Sequence, residues 1–322
     1  MWNSTALSIL LSLDGSAQSR YAAELCWAMA KANGLTVDAQ HVVDSLAAWD
    51  FLNFDIAGFI GSEPYFEAHE TMLKCLNSIG ESLTEAYEGQ AAGHEIPGKT
   101  FLDEGTTIRE ICWRAKDHSL VAIGQRSTGM GSPDEDKRRI PRRSVAESLT
   151  YYCPRPLLVV QDRCEPWTKM RIMLSSLRVP SSLLESLIAF ARQLNVEPQI
   201  RLVLVTDNPN GEVEVDTLEN CPEARQLYED MRKLVPAMDG LRVDVRRTGN
   251  LNRYWQHDAE DDNNSLLVVP VTEIAGVRKT SFGTAPDTVV RYLNHPAVLF
   301  WMEEHSLEKV KEEEAATSLP AQ

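Results

Sequence analysis

The sequence contains little that would indicate a disulfide-rich or metal-binding protein. Six cysteines occur among 322 residues, and none forms a Cys-x-x-Cys pair. Because most of them lie inside apolar runs, we interpret them as reduced, buried thiols rather than as a disulfide framework or a zinc site. The seven histidines are scattered, without the spacing of a metal-binding pair or a Ser-His-Asp order. We therefore expect no metal site and no nucleophilic catalytic centre.

Long apolar runs and positive charge are also scarce. No apolar run is long enough to span a bilayer, and the first residues, MWNSTALSILLSLDGS, lack the basic segment of a signal peptide. The formal net charge is −15, and an acidic surface repels the phosphates of nucleic acids. We expect a cytoplasmic protein that binds no nucleic acid and has no membrane span.

Short apolar runs alternate with helical patterns through the first half of the chain. The run LSILLSL ends at Asp14-Gly15-Ser16, and the helix that follows has Ser16 as its N-cap and Gly34 as its stop. Residues 45–61 are an unusually apolar connection to a long helix. The predicted strands are 7–13, 37–44, 98–105, 119–124 and 155–160, with helices after Ser16, from about Pro64 to Gln90, at 107–118 and at 143–152. This alternation predicts a parallel, doubly wound sheet.

The same order of patterns restarts near residue 170. The early strands of the two halves are 163 residues apart, since residue 9 corresponds to 172 and residue 44 to 207. A repeat of this length indicates two homologous α/β units. We predict a first domain at 1–163, a second domain at 169–303 and a charged tail at 304–322.

Two strand ends in the first half suggest a binding site. In a doubly wound sheet, ligands bind beyond the carboxyl ends of the strands, where the strand order reverses. Asp14 ends the first strand and Gly124 the fourth, so both would face one crevice. A carboxylate there can accept from a ribose hydroxyl, a glycine allows close approach, and the next helix start can hold phosphate. The alternatives are that Asp14 caps the first helix and that Gly124 only makes a tight turn.

The chain resembles the universal stress protein family. The matching stretches are ILLSLDGSAQSRYAAELCWAMAKANGLTVDAQHVVD, GTTIREICWRAKDHSLVAIGQRSTG and RSVAESLTYYCPRPLLVV. The resemblance covers essentially the whole chain as two tandem domains. It implies two flavodoxin-like, adenine-nucleotide-hydrolase-like units, each a five-stranded parallel doubly wound sheet. It also implies a stress-associated regulatory protein that binds an adenine nucleotide, ATP or AMP.

The resemblance assigns a nucleotide pocket to the first unit. ATP-binding members carry Gly-x2-Gly-x9-Gly followed by Ser or Thr after the fourth strand, and Gly124 matches the first glycine. The second glycine is Ser127 here, and the third is replaced by Arg143 after a longer loop. By resemblance, Asp14 meets ribose or adenine and Val42 lies against adenine. The phosphate path is then lined by Gly124, Arg126 and Ser127, and closed at the next helix by Arg143, Ser144 and Val145.

The second half departs further from this pattern. Leu177 stands at the position of Asp14, Pro270 at that of Gly124 and Glu273 at that of Ser127, while Gly283-Thr284 is retained. Leucine cannot accept from a ribose, and a glutamate repels phosphate. We predict that nucleotide binds in the first unit only, with at most weak ATP hydrolysis.

Two further segments leave alternatives open. The basic loop DKRRIPRR (136–143) clamps phosphate or an acidic partner, or it is a solvated loop balanced by nearby acids. The aromatic stretch from Trp49 to Phe66 binds a ligand tail, a partner or a membrane surface, or it packs over the sheet or between protomers. We expect a protein partner or a homodimer. The rival hypotheses are a partner-binding scaffold with both pockets vestigial and a small-molecule enzyme on the same architecture.

Overall fold

The computed structural model describes residues 7–52, 63–125, 144–175, 179–206, 214–257 and 264–302. These residues form two compact α/β units. The first unit runs to Cys153 and includes Leu158–Pro166, and the second begins at Trp167 and includes Pro154–Leu157.

The first unit follows the predicted alternation of strands and helices. Its strands have the order β3-β2-β1-β4-β5, with β1 parallel to β2 and β4, and β2 parallel to β3. This order brings the carboxyl ends of β1 and β4 side by side at the point where the strand order reverses. The elements are β1 (Ser8–Leu13), α1 (Ala17–Asn33), β2 (Thr36–Asp44), α2 (Ser45–Leu52), α3 (Glu63–Gly93), β3 (Thr100–Gly105), α4 (Thr107–Ala115), β4 (Leu120–Gly124), α5 (Val145–Tyr152) and β5 (Leu157–Val160).

The second unit repeats this strand order as β9-β7-β6-β10-β12, again with parallel pairing. Two short strands add to the five that the sequence predicted, because β8 pairs antiparallel with β9 and β11 antiparallel with β10. The elements are β6 (Lys169–Leu174), α6 (Ser181–Gln193), β7 (Glu197–Val205), β8 (Glu214–Asp216), α7 (Pro222–Leu234), a 3-10 turn (Pro236–Met238), β9 (Arg242–Thr248), α8 (Leu251–His257), β10 (Ser265–Ile274), β11 (Val277–Thr280), α9 (Pro286–Tyr292) and β12 (Ala297–Met302).

The strand pairing has the same register at the start of both units. The first pair of the ladder is Ser8 with Thr36 in the first unit and Lys169 with Glu197 in the second. Each residue of the second pair lies 161 positions after its counterpart in the first. The repeat in the structure is therefore two residues shorter than the spacing predicted from the sequence.

Helix α1 begins and ends where the sequence predicts. Ser16 is its N-cap, and the Ser16 hydroxyl accepts a hydrogen bond from the Ser19 N–H at 3.1 Å. Gly34 ends the helix with φ at 66°, and its N–H donates to the carbonyl of Ala30. A left-handed residue at this position satisfies a terminal carbonyl of the helix, and glycine adopts that conformation at little cost.

The long helix α3 packs on the same side of the sheet as α1. The Trp27 indole N–H of α1 donates to the Tyr87 hydroxyl of α3 at 3.1 Å. The Trp27 ring also stacks on His94, with 4.9 Å between centroids. These contacts attach the carboxyl-terminal part of α3 to α1.

The aromatic stretch is only partly packed. Trp49 of α2, a helix that the sequence left as a connection, stacks on Phe66 of α3 with 5.3 Å between centroids. Phe51 and Phe66 nevertheless remain 63% and 54% exposed. Phe54 and Phe59 lie outside the described residues.

The cysteines differ more in burial than their sequence context predicts. All six are free thiols; Cys26, Cys153 and Cys221 are buried, but Cys112 and Cys164 are half-buried and Cys75 is exposed. Burial raises the pKa of the Cys26 thiol well above its usual range, and the nearby Cys164 raises it further. Burial also raises the pKa of Cys164 to about 12, with a further contribution from Asp162. These two thiols are therefore protonated and unreactive at neutral pH.

Candidate functional site

Asp14 lies directly after β1, half-buried, in a tight turn into α1. Its Oδ1 accepts a hydrogen bond from the Ser16 N–H at 2.9 Å, and its own N–H donates to the Ser19 hydroxyl at 3.3 Å. Ser16, not Asp14, caps the helix, so the alternative that Asp14 serves as the cap is wrong. Within the part of the chain that the structure describes, Oδ2 of Asp14 accepts no hydrogen bond. One carboxylate oxygen is thus fixed in place and the other can receive a ligand donor.

Gly124 ends β4 beneath the first turn of α1. A Cβ built on it would lie 2.8 Å from Cβ of Gln18 and 2.8 Å from the backbone nitrogen of Ser19. Carbon atoms do not approach backbone this closely without a shift of the helix. The need for glycine at this position therefore comes from the packing of α1 on β4, which the sequence did not indicate.

Val42 is a half-buried residue of β2, two positions before the strand ends at Asp44. Its neighbour His41 donates a hydrogen bond from Nδ1 to the carbonyl oxygen of Leu13, at 2.8 Å. This bond ties the carboxyl end of β2 to that of β1. Val42 therefore lies on the strand adjacent to Asp14, as the resemblance implies.

Helix α3 forms a wall of the candidate site that sequence reasoning missed. A Cβ on Gly80 would lie 2.9 Å from Cδ2 of His41, so the helix rests directly on that ring. Leu83, one turn later, has its Cδ1 4.0 Å from the place of a Cβ on Gly15. A glycine inside a helix lowers stability by about 1 kcal/mol relative to alanine. Gly80 in the middle of the predicted helix was therefore the sequence signal that α3 packs closely against a neighbouring element.

The start of α5 is closed by its own side chains. The Ser144 hydroxyl accepts from the Glu147 N–H at 3.1 Å, and Oε2 of Glu147 accepts from the Ser144 N–H at 3.1 Å. In this capping box the Ser144 N–H is bonded to the Glu147 carboxylate. A phosphate beside Val145 would have to displace the Glu147 carboxylate.

Three of the expected site residues, Arg126, Ser127 and Arg143, lie outside the described residues, as does the basic loop that contains Arg143. The same holds for Leu177, which the sequence analysis matched to Asp14.

A polar cluster on the other side of β2 and β3 fixes α4. Arg114 of α4 binds Asp103 of β3 in a two-pronged ion pair, with Nη2 2.7 Å from Oδ1 and Nε 3.0 Å from Oδ2. The Gln40 amide donates to the same carboxylate at 2.8 Å. The guanidinium also lies 3.6 Å from the centroid of the Phe101 ring. Arg114 thus joins α4 to β3, and Asp103 is the link from β3 to Gln40 of β2.

In the second unit, Ser281 occupies the place between β6 and β10 that corresponds to the crevice between β1 and β4. Its hydroxyl donates to the carbonyl of Met173 at 2.8 Å, and its N–H donates to the carbonyl of Pro270 at 2.9 Å. The pairing of these two strands ends just before, at Ile172 and Val268. Ser281 is 1% exposed, so the chain itself fills this point of divergence.

The strand register corrects one sequence correspondence. Ser8 pairs with Thr36 at the start of β1 and Lys169 pairs with Glu197 at the start of β6, so these strands repeat after 161 residues. The counterpart of Asp14 is therefore Ser175, and the assignment of Leu177 to that position is wrong by two residues. Pro270 remains the counterpart of Gly124, because Ile9 pairs with Leu120 and Met170 pairs with Leu266.

The other retained features of the second unit have structural roles. Glu273 lies in the β10–β11 hairpin, paired in register with Arg278. Gly283 has φ at 78° in a turn where its N–H donates to the carbonyl of Thr280. The Thr284 hydroxyl contacts that of Thr280 at 2.9 Å. The Gly283-Thr284 pair therefore builds a turn before α9.

Comparison with known proteins gives a match in structure alone. No protein-family model matches the sequence, and no curated protein matches it. A universal stress protein structure from Archaeoglobus fulgidus DSM 4304 aligns with a TM-score of 0.57 at 15% identity, over 92% of this chain and 96% of that one. A structure of a putative universal stress protein from Pseudomonas aeruginosa UCBPP-PA14 aligns with a TM-score of 0.50 at 12% identity, over 96% of this chain and 98% of that one. The chain has the universal stress protein fold. The predicted fold class is confirmed, and the universal stress protein fold accounts for the strand order of β1–β5 and of its second-unit counterpart.

Neither a membrane-spanning helix nor a metal-binding cluster is found in the described residues. Among the described residues, no helix is long and apolar enough to cross a membrane. In the same part of the chain, no group of three or more histidine, cysteine, aspartate or glutamate side chains could hold a metal ion.

Proposed function

We propose that this protein is a stress-associated regulatory protein whose first unit binds an adenine nucleotide, ATP or AMP. The observation that carries the proposal is the half-buried Asp14 carboxylate at the strand-order reversal, with Oδ1 held by Ser16 and Oδ2 open to a donor. A carboxylate oriented in advance binds a ribose hydroxyl or an amino group without the cost of ordering it. The universal stress protein fold supports this choice of ligand.

The proposal assigns binding to one unit only. In the second unit, Ser281 satisfies the carbonyl oxygens of Met173 and Pro270 at the equivalent place. A ligand there would have to break two buried hydrogen bonds and expel part of the chain. One site per chain follows, and nucleotide turnover is at most weak.

The remaining roles in the first unit are assigned by position and resemblance. Val42 lies against the adenine, and Leu83, whose Cδ1 is 4.0 Å from the place of a Cβ on Gly15, makes α3 a wall near the ribose. Arg126 and Ser127 line the phosphate path. Arg143 offsets the negative charge of Glu147 at the start of α5, where a phosphate would otherwise be repelled.

Replacing Asp14 with asparagine tests the site with the local turn intact. Asparagine keeps an oxygen for the Ser16 N–H, but it presents a donor in place of Oδ2. We expect AMP affinity to fall by about 1–2 kcal/mol, or roughly five- to thirtyfold in Kd. Titration calorimetry of chain purified without added nucleotide measures this, and the wild-type stoichiometry should be one nucleotide per chain.

A matched control is Asp117→Asn, which removes an exposed carboxylate beside the amino end of β4. It should leave the Kd unchanged. Equal affinity of Asp14→Asn and wild type, two equivalent sites per chain, or no binding to wild type would each contradict the proposal.

The proposed phosphate role of Arg143 is tested by Arg143→Gln. If the guanidinium binds phosphate, ATP affinity should fall about fivefold at low salt. Adenosine affinity should stay the same, and the loss for ATP should shrink as salt rises. Arg109→Gln, at an exposed position of α4, is the control. Equal losses for both ligands, or none for either, would remove Arg143 from the site.

The capping box of α5 favours a second candidate function. Because Glu147 occupies the Ser144 N–H, the place assigned to phosphate is already filled by a carboxylate. With both pockets vestigial, the protein would be a partner-binding scaffold, and the exposed Phe51 and Phe66 would belong to its contact surface. The absence of nucleotide from denatured, freshly purified protein, together with no calorimetric binding, would select this function.

A further inference from the structure

Within the described residues, the outer edge of β3 carries backbone groups that pair with no other strand. In a parallel pair, alternate residues direct both their N–H and C=O groups to the same neighbour. The Ala39 N–H bonds the Lys99 carbonyl, and the register pairs Ala39 with Thr100, so residues 99, 101, 103 and 105 face β2. Thr100, Leu102 and Glu104 therefore direct their backbone groups away from β2. β3 ends the strand order of its unit, and in the described residues no strand pairs with this edge.

A groove runs along this edge, between β3 and α3. Its floor is formed by Thr100 and Leu102, and its wall by polar residues of α3. The wall residues are Ser78, Glu81, Ser82, Thr84 and Glu85. As far as the described residues extend, this edge can accept an extended chain, with one helix alongside.

The wall of the groove is acidic. Glu81, Glu85 and Glu88 follow one another on α3, and in the described part of the chain no lysine or arginine pairs with them. Glu88 accepts a hydrogen bond from the Thr100 hydroxyl, which places this row beside β3. Residues four apart on a helix, such as Glu81 and Glu85, are separated by about 6 Å. This is close to the roughly 6.7 Å between alternate residues of a strand, so two such glutamates can face two alternate residues of an added strand.

We propose that the outer edge of β3 binds a basic, extended peptide segment of a partner protein as an added strand. Main-chain hydrogen bonds to Thr100, Leu102 and Glu104 supply the pairing, as in other cases of strand addition. Lysine or arginine at alternate positions of the partner would then face Glu81 and Glu85. This interaction does not depend on nucleotide binding.

Charge selects this occupant over a second copy of the chain. Pairing of two β3 edges about a twofold axis would bring both α3 helices to one side of the joined strands. Two rows of glutamates would then oppose each other, in a chain whose net charge is already −15. A basic segment instead neutralises the row.

The test is the binding of a labelled synthetic peptide, as long as β3, that alternates threonine with lysine. Fluorescence anisotropy should show saturable binding to the wild-type chain. A peptide of the same charge, with proline where an N–H must pair, should bind about tenfold more weakly. The double variant Glu81→Gln/Glu85→Gln should bind the original peptide about fivefold more weakly.

The control removes the same charge elsewhere on α3. Glu67→Gln/Glu70→Gln changes two exposed residues that do not line the groove and should leave the affinity unchanged. Glu104→Pro removes one outward N–H at an exposed position, where an edge strand tolerates proline, and should also weaken binding. No binding to wild type, equal losses in both glutamine pairs, or undiminished binding of the proline peptide would overturn the proposal. So would a wild-type dimer that Glu104→Pro converts to monomer, because the edge would then belong to a second copy.

Discussion

Replacing Gly124 with alanine should lower the free energy of unfolding by about 3 kcal/mol. The added methyl group would lie 2.8 Å from the backbone nitrogen of Ser19, in the first turn of α1. Relief would require α1 to move away from β4, and the buried face of α1 would lose packing along its length. The expected loss is large because the obstructing atom is backbone, which cannot rotate aside.

Chemical denaturation of the chain measures the effect, and Gly89→Ala is the matched control. Gly89 lies inside α3, with no atom within 4 Å of an added Cβ. Alanine there should raise stability by up to about 1 kcal/mol, since it is the better helix former. If Gly124→Ala instead leaves the unfolding midpoint unchanged and weakens only nucleotide binding, Gly124 serves ligand approach and the packing argument fails.

Replacing Arg114 with methionine should cost about 2 kcal/mol of stability. Methionine keeps an apolar side chain over Phe101, but it leaves the half-buried Asp103 carboxylate with Gln40 as its remaining partner. The lost interaction is two-pronged and charge-assisted, and both side chains are about three-quarters buried. It is therefore worth more than an exposed surface pair.

A double-mutant cycle with Asp103→Asn isolates this pair. Once the carboxylate is neutral, the further change Arg114→Met should cost less than it does in the wild type, with a coupling energy of about 1–2 kcal/mol. Thermal or urea unfolding of the four proteins provides the values. Additive losses would mean that Arg114 contributes through its contact with Phe101 rather than through Asp103.

The sequence predicted those elements whose signals are local. The β1 run, the Ser16 cap and the Gly34 stop involve neighbouring residues only, and all three lie where expected. β11 was missed because its turn, Ala275-Gly276, has two positive φ values without the Asn-Gly or Asp-Gly sequence that marks such a hairpin. α2 was missed because its run of apolar residues reads equally well as a covered connection.

The candidate site was less predictable because it depends on contacts between distant elements. The position of Asp14 follows from strand order, but the reason for glycine at 124 lies in α1, more than a hundred residues earlier. The second-unit counterpart of Asp14 was placed two residues too late, at Leu177. A shift of two residues leaves every side chain on the same face of a strand, so the hydrophobic pattern cannot detect it. Only the pairing register of the strands shows that Ser175 is the residue equivalent to Asp14.

Ser281 can be regarded as a ligand that is covalently attached to its receptor. Its two hydrogen bonds in the second unit form within one molecule, so their effective concentration is set by the chain and not by the solution. A bound solute stabilises a fold in proportion to the logarithm of its concentration. The stability that Ser281 gives to the second unit therefore does not depend on the concentration of any solute. Ser281 occupies the gap between β6 and β10 at every solute concentration in the cell.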